Sequence, residues 1–388
     1  MSARREPWIV GAAAFALLAL TAHGRHTPYD NFVLLADALA HGHVWIDWPG
    51  PWIDALRYQG AYYVIEAPFP ALLLLPFVAL FGTAANQTLL SLVLGAAALG
   101  AADALLLRLE APRSARWWLL AFYAIGTDLW WCAMLGDVWM IAHVAAVCFT
   151  TFALVELTGA RRGWLVGVLA ACAALSRFSL VLALPLYAMA LLRAQDRPRG
   201  CGRARAAFGF VSALVPFAVF WLWYNHARWG TFADIGYTTW FHQDQAGSPS
   251  GSPFALHYLG YELWSFFVQA PAFTPQAPWI VPGISGVALT WTSPALVYAL
   301  WARRPRAEVL WLWVAAIVTA GPSLLYYVNG FAQFGMRHAL DFEPFLFALM
   351  ALAARKGLLL WVRVLIVWSC AAGLYGVWYW SAIVRPGN

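Results

Sequence analysis

The chain alternates between long runs of apolar residues and short polar segments that are rich in arginine. Many of the apolar runs approach the length of about 20 residues that a helix needs to cross a hydrocarbon core of roughly 30 Å. They lack the alternation of apolar and polar positions that is typical of a membrane barrel strand. Only helices and closed barrels satisfy their backbone polar groups within a bilayer. The pattern therefore predicts an all-α polytopic membrane protein.

Arginine and lysine fall in six clusters, and their spacing predicts the topology. The clusters are Arg4 and Arg5; Arg108, Arg113 and Arg116; Arg161 and Arg162; Arg193, Arg197, Arg199, Arg203 and Arg205; Arg303, Arg304 and Arg306; and Arg355, Lys356 and Arg363. Short cytoplasmic loops carry an excess of these residues, so we expect all six clusters to face the cytoplasm. An even number of spans must then separate consecutive clusters. About eleven spans satisfy this parity: 7–23, 86–107, 117–135, 138–158, 163–175, 179–193, 207–225, 286–302, 308–328, 338–354 and 358–381.

The same parity decides two ambiguous segments. Segment 68–82 is apolar but short and rich in proline, so we predict that it is re-entrant or interfacial and lies on the outer side. Segment 163–193 must be split at residues 176–179 into two short spans that meet at the outer face. The result is a chain with a cytoplasmic N-terminus and two large outer loops, 24–85 and 226–285.

We treat residues 1–388 as one integral membrane domain of the plasma membrane. The first apolar run follows two arginines, as in a signal peptide, but it has no convincing small-residue cleavage site, so we interpret it as an uncleaved span.

Composition supports this class and excludes others. Charged residues make up 11% of the chain and hydrophobic residues 62%, whereas soluble domains carry about 25% charged residues. The net charge is +6, but the charged residues are distributed unequally between the two predicted sides of the membrane. The charge therefore indicates topology and not a nucleic-acid partner. The five cysteines form no CxxC pair, and His23, His26, His41 and His43 match no zinc spacing. The sequence indicates no particular cofactor, and it is compatible with the binding of a divalent cation.

The predicted outer side collects all nine histidines and most of the acids, so we expect the working face there. In the first loop, TPYDNFVLLADALAHG predicts a helix with Thr27 at the N-cap and Asp30 at the third helical position. Asp30 is a catalytic candidate, although an acid at this position also stabilises a helix start. Asp37 is a second candidate without that explanation, and a solvated surface acid is its alternative.

Further along the first loop, aromatic residues are interleaved with carboxylates. Tyr62, Asp54 and Glu66 are candidate substrate-binding residues, because aromatic rings cover the apolar faces of sugars and carboxylates accept hydrogen bonds from hydroxyls. An aromatic belt at the lipid headgroups is the alternative.

Three further residues stand at predicted outer ends of spans. Asp137 is an acid close to hydrocarbon and is a catalytic candidate by default, with a helix cap as its alternative. Arg177 and Arg337, the latter followed by His338, are arginines in apolar surroundings. Each must find an anion, either a lipid phosphate or a substrate phosphate.

The order of five segments resembles the GT-C superfamily of membrane glycosyltransferases, which includes protein O-mannosyltransferases and lipid A aminoarabinose transferases. The segments are YDNFVLLADALAHG, YQGAYYVIEAPFPALLLLPFVALFG, GVLAACAALSRFSLVLALPLYAMALL, WYNHARWGTFADIGY and FGMRHALDFEPFLFALMALA. The resemblance covers nearly the whole chain and implies a GT-C-like fold whose first outer loop carries juxtamembrane helices.

The resemblance implies an inverting transferase that moves a sugar from a polyprenyl-phosphate carrier to a hydroxyl of a lipid, glycan or protein. Asp30 matches the position of the family's base. The sequence departs from the family where Asn31 replaces the second acid of a frequent pair, and where His338 replaces a usual tyrosine. A leaving phosphate needs its charge held, a task suited to Arg337 or Arg177. A transporter or flippase is the main alternative. A third hypothesis is an inactive relative of the family that serves as a scaffold.

Overall fold

The computed structural model of the protein describes residues 5–48, 50, 55–193, 201–244 and 251–384. Over these ranges the chain is mostly helical, with two short antiparallel hairpins. The α-helices are α1 Glu6–Ala22, α2 Asn31–Ala40, α3 Phe69–Phe81, α4 Gln87–Arg108, α5 Arg113–Ile125, α6 Leu129–Leu135, α7 Val138–Thr158, α8 Gly163–Ala174, α9 Leu184–Arg193, α10 Cys201–Trp229, α11 Gly236–Asp244, α12 Leu259–Phe267, α13 Leu289–Thr292, α14 Arg306–Leu324, α15 Glu343–Ala353 and α16 Leu360–Tyr379. The strands are β1 Leu56–Tyr58, β2 Ala61–Tyr63, β3 Ala272–Phe273 and β4 Ile280–Val281.

The three longest 3₁₀ segments of the described residues adjoin α-helices. Phe178–Ala183 leads into α9, Pro294–Trp301 follows α13, and Arg337–Asp341 precedes α15. The chain continues from α16 as a π-helical turn, Trp380–Val384.

Five helices in the described ranges are long and apolar enough to cross a bilayer. They are α4, α7, most of α10, α14, and α16 with its π-helical extension. A sixth is formed if α5 and α6, which meet at a bend of 46°, count as one span. Other apolar helices, such as α1, α3 and α8, are shorter. The chain is thus a helical membrane protein, while the count of eleven spans stays a prediction.

The predicted break within 163–193 is confirmed. Helix α8 ends at Ala174, and the chain resumes as a 3₁₀ helix at Phe178. The backbone N–H of Phe69 donates to the carbonyl of Leu175 at 3.0 Å, so the start of α3 lies beside this break. Helix α3 has 13 residues, a rise of about 20 Å, which is shorter than a hydrocarbon core.

The predicted span 117–135 falls on α5 and α6, which are separated by a bend after Ile125. Gly126 ends α5, and its carbonyl accepts a hydrogen bond from the Ser293 hydroxyl at 2.7 Å instead of from the helix. The Thr127 hydroxyl donates to the Tyr123 carbonyl at 2.9 Å. The Thr127 hydroxyl therefore replaces a backbone N–H as the donor at the break. This replacement lowers the free-energy cost of bending the helix there.

The helices bring described arginines of several basic clusters to one end of the molecule. At this end Arg116 donates to Glu6 at 2.9 Å and to Asp103 at 2.6 Å, joining the start of α1, the end of α4 and the start of α5. Asp103 is buried, so this pairing removes the cost of an isolated charge.

At the opposite end the first loop is held against the turn between α6 and α7. The Gln87 amide accepts from the N–H of Phe32 and donates to the carbonyls of Tyr29 and Gly136. One side chain at the start of α4 thus connects the first loop with the α6–α7 turn. Asp30 and Asp137, two of the candidate catalytic residues, lie at this end.

Candidate functional site

Asp341 is the centre of a polar cluster formed by three separate parts of the chain. Its carboxylate accepts hydrogen bonds from His143 Nδ1 at 2.7 Å and from the Ser179 hydroxyl at 2.8 Å. Arg177 Nε lies 3.2 Å from Asp341 Oδ2 and 3.3 Å from Oδ1. Arg177 Nη2 donates to His338 Nδ1 at 3.3 Å, and the rings of His143 and His338 lie edge to face at 5.2 Å.

Local structure accounts for the meeting of these side chains. The break after α8 places Arg177 and Ser179 outside regular α-helix, while His143 lies one and a half turns into α7. The 3₁₀ helix Arg337–Asp341 supplies His338 and Asp341 from consecutive turns. We call these five residues, His143, Arg177, Ser179, His338 and Asp341, the Asp341 cluster.

The Asp341 cluster has a buried side and an accessible side. The side chains of Asp341 and His143 are 0% and 1% exposed, whereas Arg177 is 18% exposed and His338 is partly exposed. Glu66 and Tyr237 interact electrostatically with the Arg177 guanidinium. A buried carboxylate therefore holds an arginine whose other side can meet a ligand, and the arrangement can bind an anion.

Arg337 is adjacent in sequence but engaged elsewhere. It is nearly buried, and its Nη1 donates to Gln333 Oε1 at 2.7 Å and to the Phe331 carbonyl at 3.2 Å. Asp128 and Asp137 both interact electrostatically with it. Its predicted contact with a substrate phosphate stays a prediction.

Asp30 is placed differently from the sequence prediction. Helix α2 begins at Asn31, so Asp30 is the N-cap residue and not the third helical position, and its side chain makes no capping hydrogen bond. The prediction placed the helix start earlier because Thr27 and Pro28 have the typical residue types; in the structure Thr27 instead hydrogen-bonds Asp137. Burial raises the pKa of the half-buried Asp30 carboxyl above its usual value.

Backbone and ring contacts connect Tyr29, the residue before Asp30, to the helix that carries His143. The carbonyl of Tyr29 accepts from the N–H of Val138 at 3.0 Å, and the Tyr29 ring lies 4.9 Å from Trp139. Val138 and His143 are separated by about 8 Å of helical rise along α7. Asp30 therefore lies at the same end of α7 as the Asp341 cluster.

The other two catalytic candidates differ in their surroundings. Asp137 is fully buried, accepts from the Thr27 hydroxyl, and lies 3.6 Å from Arg25 Nη2, so it anchors the first loop to the start of α7. Asp37 is about one third exposed, with His41 Nδ1 3.7 Å from its carboxylate. Among the described residues, Asp37 makes no hydrogen bond or ion pair with the Asp341 cluster.

Of the predicted sugar-binding residues of the first loop, Tyr62 and Glu66 lie in the described ranges, and their sugar-binding role stays a prediction. Tyr62 lies on β2 of a hairpin whose turn, Gln59 and Gly60, has positive φ at both positions as tight hairpins require. Its ring stacks on Trp48 at 4.9 Å. Glu66 is buried and electrostatically coupled to Arg177. Asp54 lies outside the described residues.

Sequence reasoning missed His143, Ser179 and Asp341 as site residues. The one available indication was that Asp341 follows the candidate Arg337 by four positions in a segment expected to be apolar. Within the described ranges, no group of three or more His, Cys, Asp or Glu side chains is arranged to hold a metal ion.

No protein-family model, curated protein or solved structure matches this chain. Function must therefore be inferred from the geometry of the site and the order of the motifs.

Proposed function

We propose that this protein is a membrane glycosyltransferase of the GT-C type. It would transfer a sugar, with inversion, from a polyprenyl-phosphate carrier to an acceptor hydroxyl at the extracytoplasmic face of the plasma membrane. The observation that carries the proposal is the Asp341 cluster, an accessible arginine and histidine held by a buried acid, at the same end of the molecule as the half-buried Asp30.

Arg177 and His338 are suited to the phosphate of the donor. A polyprenyl phosphate leaves with negative charge, and fixed hydrogen-bond donors in a site of low dielectric, here the cationic guanidinium of Arg177 and the free imidazole N–H of His338, stabilise that charge as it develops. Asp341 would act as a positioning residue, because it holds Arg177 through Nε while Nη2 points to His338. An arginine already held in place loses little conformational entropy when the phosphate binds.

Asp30 is suited to the role of base for the acceptor hydroxyl. Its carboxylate is not used to cap α2, and partial burial raises its pKa, so it is a better proton acceptor than an ordinary aspartate. Asp137 is already engaged by Thr27 and Arg25, and the Asp37 carboxylate lies 3.7 Å from His41 Nδ1 at the other end of α2. Asp30 is therefore the favoured base among the three.

The class is tested by transfer with purified protein in nanodiscs. A panel of radiolabelled polyprenyl-phosphate sugars would be supplied with a membrane lipid extract and, separately, with protein and glycan acceptors. We expect label to move from one donor into a new product, with the opposite anomeric configuration. Transfer from no member of a broad panel would contradict the proposal.

Transport is a second candidate that one observation favours. Asp128 and Glu343 are buried acids that interact electrostatically, and each has an oxygen with no hydrogen-bond partner among the described residues. Buried acids within a membrane protein are often part of proton or ion pathways. Accumulation of an unchanged labelled solute in sealed vesicles, with no new product, would favour transport over transfer.

A further inference from the structure

A cavity of about 480 Å³ lies at the end of the molecule opposite the Asp341 cluster. It is formed where the C-terminal ends of α4, α7, α9 and α15 meet the start of α14. Four arginines from four different basic clusters line it: Arg108, Arg161, Arg193 and Arg355. Among the described residues that line it, Glu308 is the one acid, so four positive charges face one negative charge, a net +3.

The arginines are held around the cavity by specific contacts. Arg355 Nε donates to the Leu109 carbonyl at 3.0 Å, and Arg161 Nε donates to the Leu157 carbonyl at 2.9 Å. Arg108 lies over Gly159, where an added Cβ would come within 3.1 Å of its guanidinium carbon. In the described part of the chain, no carboxylate lies within 4.0 Å of Arg108, Arg193 or Arg355.

Helix ends alone do not explain this arrangement. A basic residue in the last turn of a helix balances the helix dipole and can bind the last carbonyls. Such capping needs no space between the helices, whereas here the arginines surround a volume that falls in the range of ligand pockets. The inner wall is apolar and includes Leu154, Met189 and Leu352. The cavity therefore combines an anion-binding rim with a surface suited to hydrocarbon.

We propose that this cavity binds the phosphate group of an anionic ligand, with a lipid headgroup as the source that its apolar wall favours. Basic pockets between membrane helices bind lipid headgroups in this way, since arginines contact the phosphate and the acyl chains follow apolar surface. The site is separate from the proposed transfer site and does not depend on that proposal.

The test is lipid retention by the full chain in native mass spectrometry. Purified protein would be incubated with phosphatidylglycerol or with zwitterionic phosphatidylcholine. The cavity variant would carry Arg108→Gln and Arg355→Gln. The matched control would carry Arg303→Gln and Arg304→Gln, which remove the same charge from exposed residues outside the cavity lining.

We expect the wild type and the control to retain phosphatidylglycerol preferentially and the cavity variant to lose about tenfold or more of this binding. If inorganic phosphate alone displaces the lipid at millimolar concentration, the phosphate site stands and a free phosphate compound is its ligand. Equal retention by all three proteins would overturn the proposal. A wild type with no preference for phosphatidylglycerol would overturn it as well, even if the cavity variant does not fold.

Discussion

Arg177 shows how a single residue connects the buried and accessible sides of the Asp341 cluster. Its guanidinium contacts Asp341 through Nε and His338 through Nη2, and a lysine ammonium is a single point charge without the planar fork that spans these two nitrogens. We therefore expect Arg177→Lys to lower the rate of sugar transfer by roughly tenfold or more, because the charge stays but its fixed geometry is lost. Initial rates at saturating acceptor measure this effect.

The control for Arg177→Lys is Arg57→Lys, which alters an exposed arginine of the β1–β2 hairpin. We expect it to keep the wild-type rate. Equal rates for wild type and Arg177→Lys would show that Arg177 does not bind the reacting group.

Because of Glu262 on α12, we expect the stability of the protein to depend on pH. The residue is buried, neither carboxylate oxygen has a partner among the described residues, and burial raises the pKa of its carboxyl to about 8. An unfolded glutamate releases its proton near its ordinary pKa of 4.5, whereas the folded state holds it until about pH 8. The folded state thus loses stability as pH rises from about 4.5 to about 8.

We expect Glu262→Gln to remove this loss, on the order of a few kcal/mol at pH 8.5. Thermal unfolding in detergent should show a higher Tm for the variant at pH 8.5 and a Tm close to wild type at pH 4.5. An unchanged difference in Tm across this range would contradict the burial of an unpartnered acid.

At the scale of elements, close helix packing depends on small residues between α8 and α10. A Cβ added at Gly163 would lie 1.7 Å from the Ala206 carbonyl oxygen, a backbone atom that cannot move independently of its helix. We expect Gly163→Ala to separate the two helices and lower the Tm, because overpacking costs about 1–3 kcal/mol.

Gly321→Ala in α14 is the matched control, since nothing lies within 4 Å of an added Cβ there. Alanine is the better helix former, so this change should leave the Tm equal or slightly higher. Thermal unfolding of the two variants side by side checks both expectations. Equal behaviour would mean that α8 and α10 do not pack closely at Gly163.

Structural elements could be predicted from the sequence where they depend on the hydrophobicity and charge of the segment itself. The break in 163–193 could be predicted because the interior of one long span would otherwise contain Arg177 and would reverse the parity of the later arginines. The bend at Gly126 could not, because it depends on the Ser293 hydroxyl, which comes from a distant segment. The β1–β2 hairpin was missed among the aromatic residues, because Gly60 is a usual turn residue but Gln59, which also has positive φ, is not.

At the scale of the whole molecule, the sorting of charges along the chain corresponds to two chemically different ends. Arginines from separate clusters meet at one end, around Asp103 and the cavity, and the acids and histidines of the Asp341 cluster meet at the other. The sequence predicted that Arg177 and His338 share a face. It could not predict Asp341 as their partner, because three segments far apart in sequence must pack before the pairing exists.

Initial rates of sugar transfer by Asp30→Asn and Asp37→Asn, compared with wild type, test the central claim most directly. Each change removes one carboxylate from the first loop while keeping its shape, and elution of the purified variants as wild type would show that folding is retained. If Asp30 takes the proton of the acceptor, Asp30→Asn should lower the rate by about 100-fold or more while Asp37→Asn keeps it. A wild-type rate in Asp30→Asn would contradict the assignment of Asp30 as the base.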